Sequence, residues 1–481
     1  MCKVINIHPM SRTAIAGVFS LLLVISIVMG AYSTLSMPSA NGFTDTDLRA
    51  PEDFTPPTLP APPANIAGDT TARPNINIRI LVGQIFERYG GSIRIIVMNN
   101  DTRALFLEEL MFEWVGTDIN SSITVNQRIG PGERHDIMTL AVGGPPVSGA
   151  REYSLSVRLL QYRNNGWYRM VSGGDDWLSF SEQTIDVMSL ADEGENAISY
   201  NPLRYYARVN ELVDFESAYV ENATQPILGN EPGYNIGKVC AIFDWLVSNV
   251  NYTEDPDGGD IWYSPDETLA AMAGDCEDYA MLLAAMVNLA GGTSRVYLTH
   301  DHAFAAVYLG KTSIDLENVT ADIRAYYNTQ VPVHAFRDES GYWMVADPLG
   351  SFYMGGLAVG QVPIEQEDGY WNSAFPESGT LYSIDVTGIS IERPLWMDTF
   401  FWVGMILVFG FMAIGFTISA YSAEQPVKRK CLVCNSEIGD DIYVCPHCQA
   451  AYHRACAFAG ANCRECQSPI VFPPPPGDMK F

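Results

Sequence analysis

The sequence predicts a multidomain membrane protein: an all-β sandwich, an α+β domain, two transmembrane helices and a small cysteine-rich finger. Three observations lead there. Two long stretches carry no charge. Short apolar runs split by turn residues give way, after Leu203, to helical spacing. The tail gathers its cysteines in pairs.

Each feature holds up in turn. The first uncharged stretch, residues 13–37, includes Leu21-Leu22-Leu23-Val24-Ile25. The second, from Thr399 to Tyr421 within an expected transmembrane helix over residues 396–421, includes Phe400-Phe401-Trp402 and Met405-Ile406-Leu407-Val408. Each reaches the ~20 residues that a helix needs to cross a bilayer. The first stretch also resembles a signal peptide, although its apolar run exceeds the usual ~7–15 residues and favours a retained anchor. Arg12 precedes the first span and Lys428-Arg429-Lys430 follows the second. By the positive-inside rule, residues 1–12 and the tail are expected in the cytoplasm, and residues 38–394 outside the cell membrane. Five Asn-x-Ser/Thr sequons (Asn100, Asn120, Asn222, Asn251 and Asn318) fall in that outer portion.

Residues 38–75 are rich in proline and read as a semi-rigid stalk. Residues 76–190 alternate runs such as Ser92-Ile93-Arg94-Ile95-Ile96-Val97 with breaks such as Gly143-Gly144-Pro145-Pro146. Strands at this spacing suggest a β-sandwich, read here as a spacer or adhesion module. Residues 200–375 form the next domain. Within it Val239, Ile242, Phe243, Leu246 and Val250 share one helical face. Cys240 lies beside them and reads as a small buried thiol.

Composition limits the function. At 481 residues the chain has room for about three to four domains of ~150 residues. Hydrophobic residues make up 47%, enough for sizeable cores, so a disordered chain is excluded. Acidic residues outnumber basic ones 56 to 28, which argues against a nucleic-acid partner, since that binding needs Lys and Arg on phosphate.

The most informative stretch starts at Ser264. Ser264 and Glu267 have capping-box spacing around Pro265, which opens a short helix that Gly274 should close. Asp275 is the expected N-cap of a second helix, with Cys276 in its first turn. Free N–H groups and the helix dipole favour a thiolate there. Glu277 and Asp278 oppose it, so a positive partner is needed. Three strands follow: Ser294–Leu298, Ala303–Leu309 and Tyr342–Ala346. His302 starts the second and Asp347 follows the third. A Cys, a His and an Asp so placed could converge as nucleophile, base and orienting acid. A lone cysteine on an apolar helix is ordinarily core. Cys276 differs because polar and acidic residues surround it.

Gly274-Asp275-Cys276-Glu277-Asp278-Tyr279-Ala280, His302-Ala303-Phe304-Ala305-Ala306-Val307-Tyr308-Leu309 and Trp343-Met344-Val345-Ala346-Asp347-Pro348 resemble, in that order, the core of the transglutaminase-like superfamily. The likeness is to its bacterial and archaeal cysteine-peptidase-like branch and covers roughly residues 235–350. It implies a papain-like α+β fold and a catalytic triad of Cys276, His302 and Asp347. Members of that family cleave amide bonds, transfer acyl groups to amines, or have lost activity. Phe304 stands where the family usually carries Trp, and residues 311–332 are inserted before the third strand. His334-Ala335-Phe336 repeats the His-Ala-Phe pattern, so His334 competes with His302 as base; His302 is preferred, because Phe304–Leu309 continues as the family's strand does while Asp338 and Glu339 interrupt the strand after His334.

The tail reads Cys431-x2-Cys434-x10-Cys445-x2-Cys448-x4-His453-x2-Cys456-x6-Cys463-x2-Cys466. Eight soft ligands in such pairs suit two closed, structural zinc sites. The order resembles RING and PHD fingers, and more closely prokaryotic RING-like domains, over residues 428–470. If cross-braced, Cys431, Cys434, His453 and Cys456 hold one ion, and Cys445, Cys448, Cys463 and Cys466 the other. His447 is then no ligand. Two sequential zinc ribbons are the alternative. Thiolate ligands call for a reducing compartment, in keeping with a cytoplasmic tail. Residues 471–481, with Pro473-Pro474-Pro475-Pro476, read as a solvated tail or polyproline ligand.

The sequence thus leads to a membrane-anchored thiol enzyme acting on extracellular peptide or amide substrates, with a cytoplasmic protein partner for the finger. The rival is a non-catalytic receptor or scaffold. A third reading leaves the outer domain as a sensor and the finger as the active part. The acidic outer surface and this combination of parts suggest an archaeal source.

Overall fold

The structure is a computed structural model and describes residues 39–389, apart from 231, 256–259 and 367–370, and residues 429–470, apart from 441 and 458–461. They fall into two compact units that divide at 392/393.

The larger unit begins with two sheets. One has the order β1 (Ile66–Thr70), β8 (Gly166–Met170), β7 (Gly149–Arg163), β4 (Leu105–Trp114), β5 (Asn120–Ile129), and β9 (Leu178–Ser179) and β10 (Gln183–Val187) also pair with β7. The other is β2 (Ile76–Phe86), β3 (Gly90–Asn99), β6 (Arg134–Val142). Alternation along the strands sends Ile93, Ile95 and Val97 of one sheet and Leu110, Phe112, Val157 and Leu159 of the other into a shared core. At Gly83-Gln84 the β2–β3 ladder slips between Val82 and Ile85, a bulge that turns Gln84 out of the ladder.

The second part of this unit is a six-stranded sheet with helices against it. Its order is β11 (Ala197–Tyr200), β20 (Thr380–Asp385), β14 (Ser294–Leu298), β15 (Ala303–Gly310), β17 (Gly341–Ala346), β16 (Ala335–Asp338). Two short pairs accompany it: β12 (Asn251–Tyr252) with β13 (Ala273–Gly274), and β18 (Val362–Glu365) with β19 (Trp371–Ala374). The helices are α1 (Leu203–Leu212), α2 (Ala218–Leu228), α3 (Ile236–Asn249), α4 (Pro265–Ala271), α5 (Cys276–Leu289) and α6 (Ser313–Tyr327). α5 is apolar all round from Met281 to Val287 because it is buried all round. Each large side chain there contributes roughly 1.5–3 kcal/mol of burial.

The 311–332 insertion is the helix α6. Its Tyr326 and Tyr327 hydroxyls donate to Asp244 of α3, at 3.1 and 2.9 Å. Residues 39–54 are extended but docked. Phe43 N–H donates to Asp385 at 2.9 Å and Arg49 N–H to Thr293 Oγ1 at 2.9 Å.

The smaller unit carries β21 (Ile442–Val444), β22 (Ala451–His453) and a short 3-10 turn at Arg454–Cys456.

The expected membrane fold class needs correction. The described residues form β-rich sheets, six helices and two cysteine clusters, and among them no helix is long and apolar enough to cross a membrane. The longest, α6, has 15 residues against the ~20 required, and it is polar on one side. An extracytoplasmic 38–394 with both termini in the cytoplasm is therefore not supported. Residues 13–37 and 396–421, on which the spans were expected, lie outside the described residues, as do 1–12 and 471–481.

Candidate active site and zinc centres

The approach to Cys276 is fixed by local bonds. Ser264 and Glu267 form the reciprocal capping box, with Pro265 in the first turn. α4 ends at Met272 in the left-handed region, φ 50°, instead of at Gly274. Gly274 serves another need. It pairs with Tyr252, and a Cβ on it would lie 2.6 Å from the Asp278 carboxylate. That carboxylate accepts Tyr263 N–H at 2.8 Å and Asp275 N–H at 3.3 Å, which sets the start of α5. Asp278 is thus a cap. Burial still pushes its pKa up to about 7.

Cys276 is half-buried at the first position of α5. Its thiol donates to Glu277 Oε2 at 3.1 Å, while the Ala303 backbone amide works in the thiolate's favour. Burial raises the thiol's pKa, and the Glu277 carboxylate adds to the rise. Burial likewise raises Glu277. Asp255, Asp260 and Glu277 bring one carboxylate oxygen each within 4.8 Å of one another, so the ground beside the thiol is acidic.

The sheet supplies the other two groups. Ala305 of β15 pairs with Ala346 of β17, which brings His302 and Asp347 to the same end. His302 Nε2 lies 2.7 Å from Asp347 Oδ2, and both side chains are buried. Burial pulls the imidazole's pKa down, but the adjacent Asp347 carboxylate outweighs it and the net shift is upward. Asp347 also accepts the Leu349 N–H at 3.0 Å and the Val359 N–H at 2.8 Å. With Nε2 engaged by Asp347, Nδ1 is the ring's other nitrogen. Phe304 stacks between Tyr297 and Phe375, with centroids 5.4 Å away on each side.

His334 lies elsewhere. Its Nε2 meets the Tyr89 hydroxyl from the β2–β3 turn, and burial holds its pKa down at about 4. It has no bond to Asp347 in the structure.

Residues 221–348 match the transglutaminase-like superfamily. The matched segment of this transglutaminase-like domain contains Cys276, His302 and Asp347. Residues 425–473 match prokaryotic RING finger family 1. None of the curated proteins matches the chain. Among solved structures, native alpha-2-macroglobulin from Escherichia coli, from domain MG7 to the C-terminus, aligns at 13% identity with a TM-score of 0.16. The alignment covers 46% of this chain and only 34% of that one.

The RING-like finger holds two tetrads, Cys431/Cys434/His453/Cys456 and Cys445/Cys448/Cys463/Cys466. The pairing is the cross-brace, and His447 belongs to neither. Each set could bind a zinc ion. Tetrahedral Zn–S bonds of ~2.3 Å place sulfurs about 3.8 Å apart, and Cys445–Cys466 and Cys448–Cys463 stand at 3.6 and 3.5 Å. Three turns repeat one geometry. The N–H of Asn435, Gln449 and Gln467 returns to the carbonyl of Cys431, Cys445 and Cys463, and each of the three takes φ near 60°. His453 Nε2 bonds the Glu437 carbonyl at 3.0 Å, which turns Nδ1 toward the ligand set.

The sequence had flagged Glu277 only as an unfavourable charge. The amides of Leu349 and Val359 carry no side-chain signature and had no signal to find.

Proposed function

We propose that Cys276, His302 and Asp347 form a thiol acyl-transfer centre acting on peptide or amide bonds. The supporting observation is the buried 2.7 Å His302–Asp347 pair next to Ala303, whose backbone amide favours the Cys276 thiolate. Cys276 Sγ attacks the carbonyl carbon as its proton passes to His302 Nδ1. Asp347 stabilises the resulting imidazolium. The Cys276 N–H, free at the helix start, faces the developing oxyanion. The C–N bond then breaks, and the amine leaves with the proton from His302. A thioester remains on Cys276. Water as acceptor makes the protein a peptidase or amidase, and an amine makes it an acyltransferase.

A second reading, a binding scaffold whose finger recruits partners, draws support from the raised thiol pKa and the acidic neighbours of Cys276. Alkylation of Cys276 across pH, read on its own peptide by mass spectrometry, separates the two. A working pair gives fast alkylation that persists below pH 7, is lost in His302→Ala and is kept in His334→Ala. Slow alkylation that follows only an ordinary thiol titration, unmoved by either change, overturns the triad.

A further inference from the structure

The N-terminal sheets are more than a spacer. The β2 bulge directs the Gln84 side chain at the loop that follows Asp347. Its Nε2 lies 2.9 Å from the Ala358 carbonyl, 3.2 Å from that of Gly350 and 3.4 Å from that of Leu357. The Ala358 carbonyl and the Val359 N–H belong to one planar peptide group. That N–H donates to Asp347 Oδ2 at 2.8 Å, and the same oxygen holds His302. One rigid plane therefore links Gln84 to the acid: a donor on its carbonyl side and an acceptor on its N–H side. Each bond polarises the next. Other contacts hold the same loop. Thr139 Oγ1 donates to the Phe352 carbonyl at 2.7 Å, and Gln361 Oε1 accepts Ala358 N–H at 3.0 Å.

We infer that Gln84 is a positioning residue for the Cys276–His302–Asp347 centre, acting from the β-sandwich part through the Ala358–Val359 peptide onto Asp347. The inference rests on the triad reading above. It makes the two parts of the larger unit one working device: without Gln84 the carbonyl side of the peptide plane loses its donor, and the Val359 amide holds Asp347 Oδ2 less firmly.

The test uses the full chain and the same peptide-resolved alkylation. Gln84→Met keeps the side-chain volume and removes the donor. Gln84→Glu sets an acceptor against three carbonyls. Both should slow Cys276 alkylation at pH 6 by roughly tenfold, the scale of one pKa unit, and move the acid limb of the profile toward the ordinary thiol. Asp347→Asn should do the same, and Gln84→Met added to it should cost nothing more. Arg88→Ala removes the ion pair to Glu365, a contact off this path, and should leave the profile unchanged. If Asp347→Asn moves the profile and neither Gln84 variant does, the positioning role is overturned and the triad stands. If Asp347→Asn and His302→Ala both leave it unmoved, the triad falls, and the role of Gln84 with it. A Gln84→Met chain that loses thermal stability but keeps its acid limb also overturns the role.

Discussion

Arg295 is the sharpest place to test the energetics of the central sheet. Its side chain is 6% exposed. Nε bonds Asp385 and a terminal nitrogen bonds Asp338, each at 2.5 Å, and the guanidinium lies 3.6 Å from the centroid of Trp343. Replacing it by Met keeps the apolar stem and strands two buried carboxylates. Breaking a buried pair from one side costs roughly 3–5 kcal/mol. The lower end applies here, because both acids keep other donors. Asp385 still accepts from Phe43 and Asn201, and Asp338 from Ser340. At about 2.1 cal/mol/K per residue over ~350 residues, ~3 kcal/mol is a fall of about 4 °C in melting temperature. The pH dependence gives a second handle. Burial raises the Asp338 pKa, but Arg295 outweighs it and the net shift is downward. A depressed carboxylate contributes stability above its unfolded value, ~3.9, and loses it only as pH falls further. The native chain is therefore level in this contribution from pH 7 to 5. In Arg295→Met burial is left to act on the stranded Asp338, which takes up a proton more readily than in the native chain, so the variant recovers on acidification. Denaturant unfolding at pH 7 and pH 5 measures both effects. A deficit below about 1 kcal/mol at pH 7, or one that widens at pH 5, would refute this account.

Three other outcomes are expected. The His302–Asp347 pair stabilises the fold below the unfolded imidazole value, ~6.5, and this is lost as pH rises through the raised folded value. The unfolding free-energy gap between the native chain and Asp347→Asn should accordingly shrink from pH 6 to pH 8. Ser264→Ala removes half of the capping box and should cost about 1 kcal/mol, seen as faster amide exchange at Glu267. Native mass spectrometry should find two zinc ions per chain, and Cys463→Ser should release one of them while leaving the His453 tetrad filled.

Much of the site could be read from residues, because its supports are local. The Ser264–Glu267 box and the Asp275 start of α5 are short-range patterns with a mechanism behind each. The finger was legible for the same reason: eight ligands, paired at short spacing, are enough to close two tetrahedral sites. Both His302 and His334 precede Ala-Phe, and pattern favoured His302 only through the longer strand that follows it. Their partners separate them, Asp347 for one and the Tyr89 hydroxyl for the other, and Tyr89 lies 245 positions from His334. Gln84 was invisible for that reason too. Its role depends on a bulge and on a backbone plane far along the chain. Gly274 looked like a helix stop, yet its lack of a Cβ serves the Asp278 carboxylate. The insertion after Lys311 hid a helix because α6 has only a few buried positions, Val319, Ile323 and Tyr327.

The Asp385 hub carries a mechanical consequence. The Ala40 N–H bonds the Asn201 carbonyl, and the Asn201 amide bonds Asp385 at 2.9 Å. On the far side of the sequence, Thr387 and Gly388 N–H groups bond Asn210 at 2.7 and 3.0 Å, and Asn210 in turn donates to the Asp385 carbonyl at 2.9 Å. The first and last described residues of the unit meet within one small network. Tension applied between its flanks would shear that network and pass by Cys276, His302 and Asp347, so the unit could be tugged from outside without its candidate chemistry being deformed.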